Sequence, residues 1–183
     1  SDQYGKLYRL TPPKRFFTGA DSKNPMPNDQ AQIEPIDVEL GFAQGLLFAF
    51  DSLYVVAHGN DNFKTPAGLF RVRDTNGDDK YDNVELLRKF DGGGEHGPHA
   101  VILSPDGKSL YVCAGNHTKP PKPEQLRMAD RWDEDQVLKR YPDANGHAVG
   151  VMAPGGWICK TDPDGKSFEM ISSGYRNQYD IAF

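Results

Sequence analysis

Between Gly68 and Asp74 the side chains alternate, with Leu69, Arg71 and Arg73 on one side and Phe70 and Val72 on the other. A period of two marks a β-strand with one wet face. Such runs recur along the chain. Ser52-Leu53-Tyr54-Val55-Val56-Ala57 returns about 57 residues later as Ser109-Leu110-Tyr111-Val112-Cys113-Ala114, a spacing proper to propeller or solenoid repeats once loop insertions are allowed. The run from Gly68 to Asp74 is answered by Gly156-Trp157-Ile158-Cys159-Lys160-Thr161-Asp162, and Gly5-Lys6-Leu7-Tyr8-Arg9-Leu10 fits the same third-strand pattern. An Asp/Gly turn and a further strand follow the first two, Val84 to Phe90 in one case and Phe168 to Ser172 in the other. Ser104-Pro105-Asp106-Gly107-Lys108 and Asp162-Pro163-Asp164-Gly165-Lys166 read as hairpin turns by composition.

The repeating unit is thus strand, tight turn, strand, loop, strand, Asp/Gly turn, strand. Four short antiparallel strands per repeat make a β-propeller blade. The expected architecture is all-β, with residues 1–183 forming one partial propeller domain. It holds the tail of one blade, two complete blades and the first strand of the next, roughly two and a half blades. Two stretches break the pattern. Residues 11–37 are rich in Pro, Asn and Asp and read as a long surface connection. Residues 117–155 form a long insertion, expected to be partly helical over Glu124 to Tyr141, where Leu126, Trp132 and Leu138 would meet the body of the protein. It ends in the run Asp143 to His147 and is placed to act as a lid over a central cavity. The chain stops at Phe183 inside an expected strand, Ile181 to Phe183, as a segment of a longer protein would.

Composition agrees with a turn-rich β protein: 37% hydrophobic residues, 19 Gly and 14 Pro. A net charge of −5 argues against nucleic-acid binding, which needs a basic surface. No apolar run approaches the ~20 residues of a membrane span, and no signal peptide is recognisable. Cys113 and Cys159 each lie in an apolar strand; they can pair in an oxidising compartment, or remain buried free thiols.

Chemistry concentrates at Gly94-Glu95-His96-Gly97-Pro98-His99, a glycine-bracketed turn that leads into the apolar run Ala100 to Leu103. Similar polar turns, Gly41-Phe42-Ala43-Gln44 and Gly174-Tyr175-Arg176-Asn177, precede two other apolar runs. Aligned by their first strands, the repeats place His96 level with Arg176, and His99 level with Gln44 and Tyr179. First strands line a propeller's channel, so these residues are expected to converge at one mouth of it. There His96 can serve as general base, Glu95 can orient it, and Arg176 can hold an anion through its planar fork.

A separate run, Asp74 to Glu85, has the spacing of a calcium loop. Asp74, Asn76 and Asp78 offer oxygens at alternate positions, Lys80 a carbonyl, and Glu85 a bidentate carboxylate. Asp79 stands where such loops carry Gly, and a plain hairpin turn is the competing reading.

The set Gln44-Gly45-Leu46-Leu47, Gly94 to His99, Pro154-Gly155-Gly156-Trp157 and Tyr175-Arg176-Asn177-Gln178-Tyr179-Asp180 resembles the soluble quinoprotein glucose and sorbosone dehydrogenase superfamily. These are six-bladed propellers that use pyrroloquinoline quinone (PQQ). The chain is most similar to the dehydrogenase-like propellers of large, often secreted planctomycete-type proteins. The resemblance covers roughly residues 40–183. It implies oxidation of a sugar or polyol, with His96 and Glu95 as the acid-preceded base. Arg176 and Asn177 would be the pair that contacts the quinone, and Gln44 and His99 would add to its site. It also implies a periplasmic or extracellular location, a cytochrome as possible electron acceptor, and cofactor-bound calcium whose ligands would lie beyond Phe183. Two positions depart from the family pattern: His99 stands where Gly or Arg is usual, and Tyr175 precedes Arg176 where His is usual. The competing reading is a non-catalytic propeller that binds a carbohydrate or a protein partner.

Overall fold

A computed structural model of the chain describes residues 6–12, 31–59, 64–122, 124–127, 149–150 and 155–183. The described residues are all β and irregular structure. Strands β1 (Leu7–Thr11) and β2 (Gln32–Ile36) pair antiparallel, Leu7 opposite Ile36 and Thr11 opposite Gln32. Strands β3 (Phe42–Ala49), β4 (Ser52–His58), β5 (Gly68–Arg73) and β6 (Asn83–Lys89) form a four-stranded antiparallel meander in chain order. After the short β7 (Asp91–Gly92) come β8 (Pro98–Leu103), β9 (Leu110–Ala114), β10 (Thr118–Lys119), β11 (Gln125–Leu126), β12 (Gly156–Thr161) and β13 (Phe168–Tyr175). Of these, β8, β9, β12 and β13 repeat the meander, β11 joins its far edge in parallel to β13, and β7 pairs with β10.

Alternation along β4 explains how the sheets stack. Tyr54 and Val56 point into one apolar cluster with Leu69, Val112, Trp157, Cys159 and Phe168. Val55 and Ala57, on the other face, join a second cluster with Leu7, Leu40, Phe70 and Val72. The middle sheet is therefore buried on both faces, between the β1–β2 pair and the β8-to-β13 sheet. Full burial of each such Val or Leu is worth about 1.5–3 kcal/mol, which is why β4 is apolar on both sides. Leading strands come closest at Gly45, where a Cβ would stand 2.5 Å from the carbonyl oxygen of His99. Only glycine permits that approach of β3 to β8. Farther out, Tyr54 donates its hydroxyl hydrogen to the Pro163 carbonyl (2.8 Å), and Arg71 reaches Asp164 at 2.7 Å. The turn between β12 and β13 is thereby clamped onto the neighbouring sheet.

Three sequence expectations are revised. The connection expected over residues 11–37 contains β2; Pro35 lacks an N–H, but it sits in a two-stranded sheet, where an edge tolerates it. The expected helix starting at Glu124 gives way to β11, because the N–H groups of Glu124 and Arg127 bond the Phe168 and Met170 carbonyls on the open edge of β13. Its remainder, with Trp132 and Leu138, most of the lid-like insertion, and residues 13–30 of the connection lie outside the described residues. Residues 177–183, expected to finish as a strand, run irregularly with no ladder partner among the described residues, and Phe183 meets Tyr111 edge-on at 4.9 Å. Both cysteines are free. Cys113 lies opposite Ile158 and Cys159 opposite Val112, one residue out of step, so their side chains leave the sheet on opposite faces. No helix among the described residues is long and apolar enough to cross a membrane.

Candidate functional site

Three turns close one end of the second large sheet. The 94–97 turn is held by Gly97 N–H on the Gly94 carbonyl (3.0 Å), and it is stitched to the turn after β9 by Gly115 N–H to Gly97 O (2.9 Å) and His117 N–H to His96 O (3.1 Å). Asn116 N–H in turn bonds the Arg176 carbonyl at 2.9 Å, which draws in the segment after β13. Gly115 sits at the junction: a Cβ there would fall 2.6 Å from Asn177 Oδ1 and 2.7 Å from His96 O.

On this frame the side chains of His96, Asn116 and Arg176 meet. His96 is buried, 1% exposed, and its Nδ1 lies 2.7 Å from Asn116 Oδ1. An amide oxygen only accepts, so Nδ1 carries the proton and Nε2 presents a lone pair. Arg176 Nη1 faces that lone pair at 3.4 Å. The ring is oriented by Asn116, a residue not singled out above, while Glu95 itself is exposed. His99 is 4% exposed, and its Nε2 donates to Asn177 Oδ1 at 2.7 Å. Tyr179 lies against its ring at 4.8 Å between centroids. His58, at the end of β4, donates from Nε2 to the Pro98 carbonyl (2.8 Å) and lies 5.7 Å from the His99 ring. His117 lies 5.5 Å from the His96 ring. Burial pushes the pKa values of His58 and His99 below the ordinary histidine range, and His99 adds to the effect on His58 as His96 does on His99. Both are neutral imidazoles at pH 7.

Gln44, His99, Tyr179 and Asp180 line a groove of about 240 Å³ beside this cluster, together with Gly45 and Val101. Gln178 closes the adjacent strand ends, its amide donating to the carbonyls of Ala114 (2.6 Å) and Trp157 (2.7 Å). The structure thus brings His96, His99, Arg176 and Asn177 together, with Gln44 across the groove. Asn116, His58 and His117 are the additions. A signal for them exists in the sequence: the second strands of the two repeats end in Ala57-His58-Gly59-Asn60 and Ala114-Gly115-Asn116-His117.

The calcium-loop residues lie far from this corner. Asp74 accepts the N–H groups of Gly77 (2.7 Å) and Asp79 (2.8 Å), Asn76 that of Asp78 (2.9 Å), and Asp78 that of Lys80 (3.0 Å). These backbone bonds hold the Asp74 carboxyl below the usual carboxylate range despite some desolvation, which acts the other way. Glu85 is turned to Arg71 at 2.8 Å and Arg73 at 3.6 Å, so it does not close the loop as a ligand would. No group of three or more His, Cys, Asp or Glu among the described residues is arranged to hold a metal ion.

Comparison with protein-family models, curated proteins and solved structures gives no significant match.

Proposed function

We propose that the chain is part of a six-bladed β-propeller of the quinoprotein dehydrogenase type, exported from the cytoplasm, whose polar corner oxidises a hydroxyl group of a sugar or polyol. The carrying observation is the meeting of His96 and Arg176, Nε2 to Nη1 at 3.4 Å, between side chains 80 residues apart. Two like meanders packed face to face, closest at their leading strands, support the propeller. The residues at the corner fit an anionic planar quinone in donor chemistry. Arg176 offers a guanidinium fork, Asn177 and Gln44 offer amides, and His99 with Tyr179 offers flat faces beside the groove. When bound, PQQ would supply the two-electron acceptor. The chain's own part is proton transfer: Asn116 holds the Nδ1–H tautomer of His96, leaving Nε2 to take the proton of a substrate hydroxyl. Arg176, now beside that atom, would turn to the anion.

Adding PQQ and calcium to the whole propeller of which the chain is proposed to be part, and following quinone absorbance together with dye-linked oxidation of a sugar and polyol panel, tests this reading. Saturable binding and dye reduction are expected, with turnover reduced about 10²–10⁴-fold in His96→Ala. Absence of both signals would overturn it. One observation favours a non-catalytic recognition surface instead: His96 and His99 are almost fully buried and tied by hydrogen bonds. Calorimetric binding of an oligosaccharide or a protein ligand, with no redox signal, would select that alternative.

A further inference from the structure

The corner holds more imidazole than a single base requires. His58 comes from the end of β4 in the first large sheet, His99 from β8 in the second, and their rings are 5.7 Å apart across the junction. Both are buried, at 9% and 4% exposure. The partners at Nε2, the Pro98 carbonyl and the Asn177 amide oxygen, are neutral acceptors and supply no counter-charge. Other groups facing the pair come from every neighbouring element. His99 faces the Glu95 carbonyl and His96 on the 94–97 turn, Asn177 after β13 and Tyr179 beyond it, with Gln44 on β3 and Asp180 along the same groove, while Asn116, His117 and Arg176 surround His96. The Glu95 carbonyl favours a charged His99, but burial outweighs it, and a charge on His96 opposes one on His99.

We propose that His58 and His99 form an acid-operated latch between the two large sheets, closed while both rings are neutral. On acidification their protonation parts the leading corner and widens the groove lined by Gln44, His99 and Tyr179. The sign follows from linkage. A histidine whose pKa is lower in the closed state binds its proton more readily once the corner opens. Closed-state stability is therefore full above the ordinary histidine pKa of about 6.5 and is lost as the pH falls below it, toward the closed-state value. This inference concerns the corner whether or not a quinone binds there, and its test needs none.

Hydrogen exchange at pH 7.5 and pH 5.5, corrected for intrinsic rates, reads the latch directly. Protection of the Gly97, Gly115 and His117 amides, which close the corner, should fall by up to about tenfold for each histidine, pH 5.5 lying about one unit below the ordinary value, and these amides should exchange faster there than those of Leu69 and Val72 on β5, which need the sheet itself to open. The loss should vanish in His58→Gln/His99→Gln, since glutamine keeps a donor but does not titrate. Corner amides exchanging no faster than those of β5 at pH 5.5, unchanged corner protection, or the same loss in the double variant would each overturn the proposal. Should that variant fail to fold, ring-proton titration of the unaltered chain decides. Both histidines titrating near the ordinary value with the corner amides still protected would also overturn it.

Discussion

A methyl group at position 115 would stand within 2.7 Å of both Asn177 Oδ1 and the His96 carbonyl. Neither neighbour can yield freely: the Asn177 oxygen holds His99, and the His96 carbonyl holds His117 N–H. Gly115→Ala is accordingly expected to destabilise the fold by about 1–3 kcal/mol, the usual cost of overpacking, seen as a lower urea midpoint. An unchanged midpoint would mean that the three turns are not packed as described. Stability should also fall from pH 7 to pH 5.5, because His58 and His99 are held neutral by burial. Urea midpoints across that range read it, and a flat profile would contradict the burial of the two rings. At this scale the sequence was readable in part. His96, His99, Arg176 and Asn177 announce themselves on glycine-bracketed turns at the heads of apolar runs. Asn116 does not, because its role depends on a partner 20 residues away, and His58 depends on one 40 residues away. Distances of that kind are set by how sheets dock, which local pattern does not encode.

Among the elements, the β3–β4 hairpin turns through Phe50 and Asp51, both with positive φ (49° and 51°). Two left-handed residues between paired Ala49 and Ser52 make the turn whose twist suits a hairpin. Left-handed backbone is costly for residues with a Cβ. Asp51→Gly should therefore stabilise the chain by about 0.5–1 kcal/mol, read as a raised urea midpoint; a lowered midpoint would argue that the Asp51 side chain is needed in place. The repeated strands β3 to β6 and β8, β9, β12 and β13 were legible because period-two runs bounded by Asp/Gly turns survive in both copies. Strands β2 and β11 were not. In β2 the pattern is interrupted by Pro35, and its Ile33 is left 65% exposed, while β11 exists only because β13 offers it an unpaired edge. Such elements are made by their partners rather than by their own residues.

For the molecule as a whole, the open question is whether the two large sheets come apart separately or together. Arg71, with 15% of its side chain exposed, bonds Glu85 in its own sheet and Asp164 in the next, at 2.8 and 2.7 Å. Removing it leaves Glu85 with Arg73 at 3.6 Å and Asp164 with Lys166 at 3.4 Å, so neither carboxylate is stranded. Arg71→Ala should thus cost about 1–3 kcal/mol, short of the loss for a fully buried pair. Cys113 and Cys159 provide the readout, since both lie in the second sheet, while Arg71 is in the first. Burial pushes their thiols up to about 11 and about 12, so labelling at pH 8 requires the sheet to open. If the sheets form one cooperative unit, through the shared cluster of Tyr54, Leu69, Trp157 and Phe168, Arg71→Ala will speed labelling of both thiols. The factor should match its loss of global stability, about tenfold for each 1.4 kcal/mol. Separate opening would leave the two thiol rates untouched while the first sheet alone weakens. A shared apolar cluster and a cross-sheet ion pair predict the former.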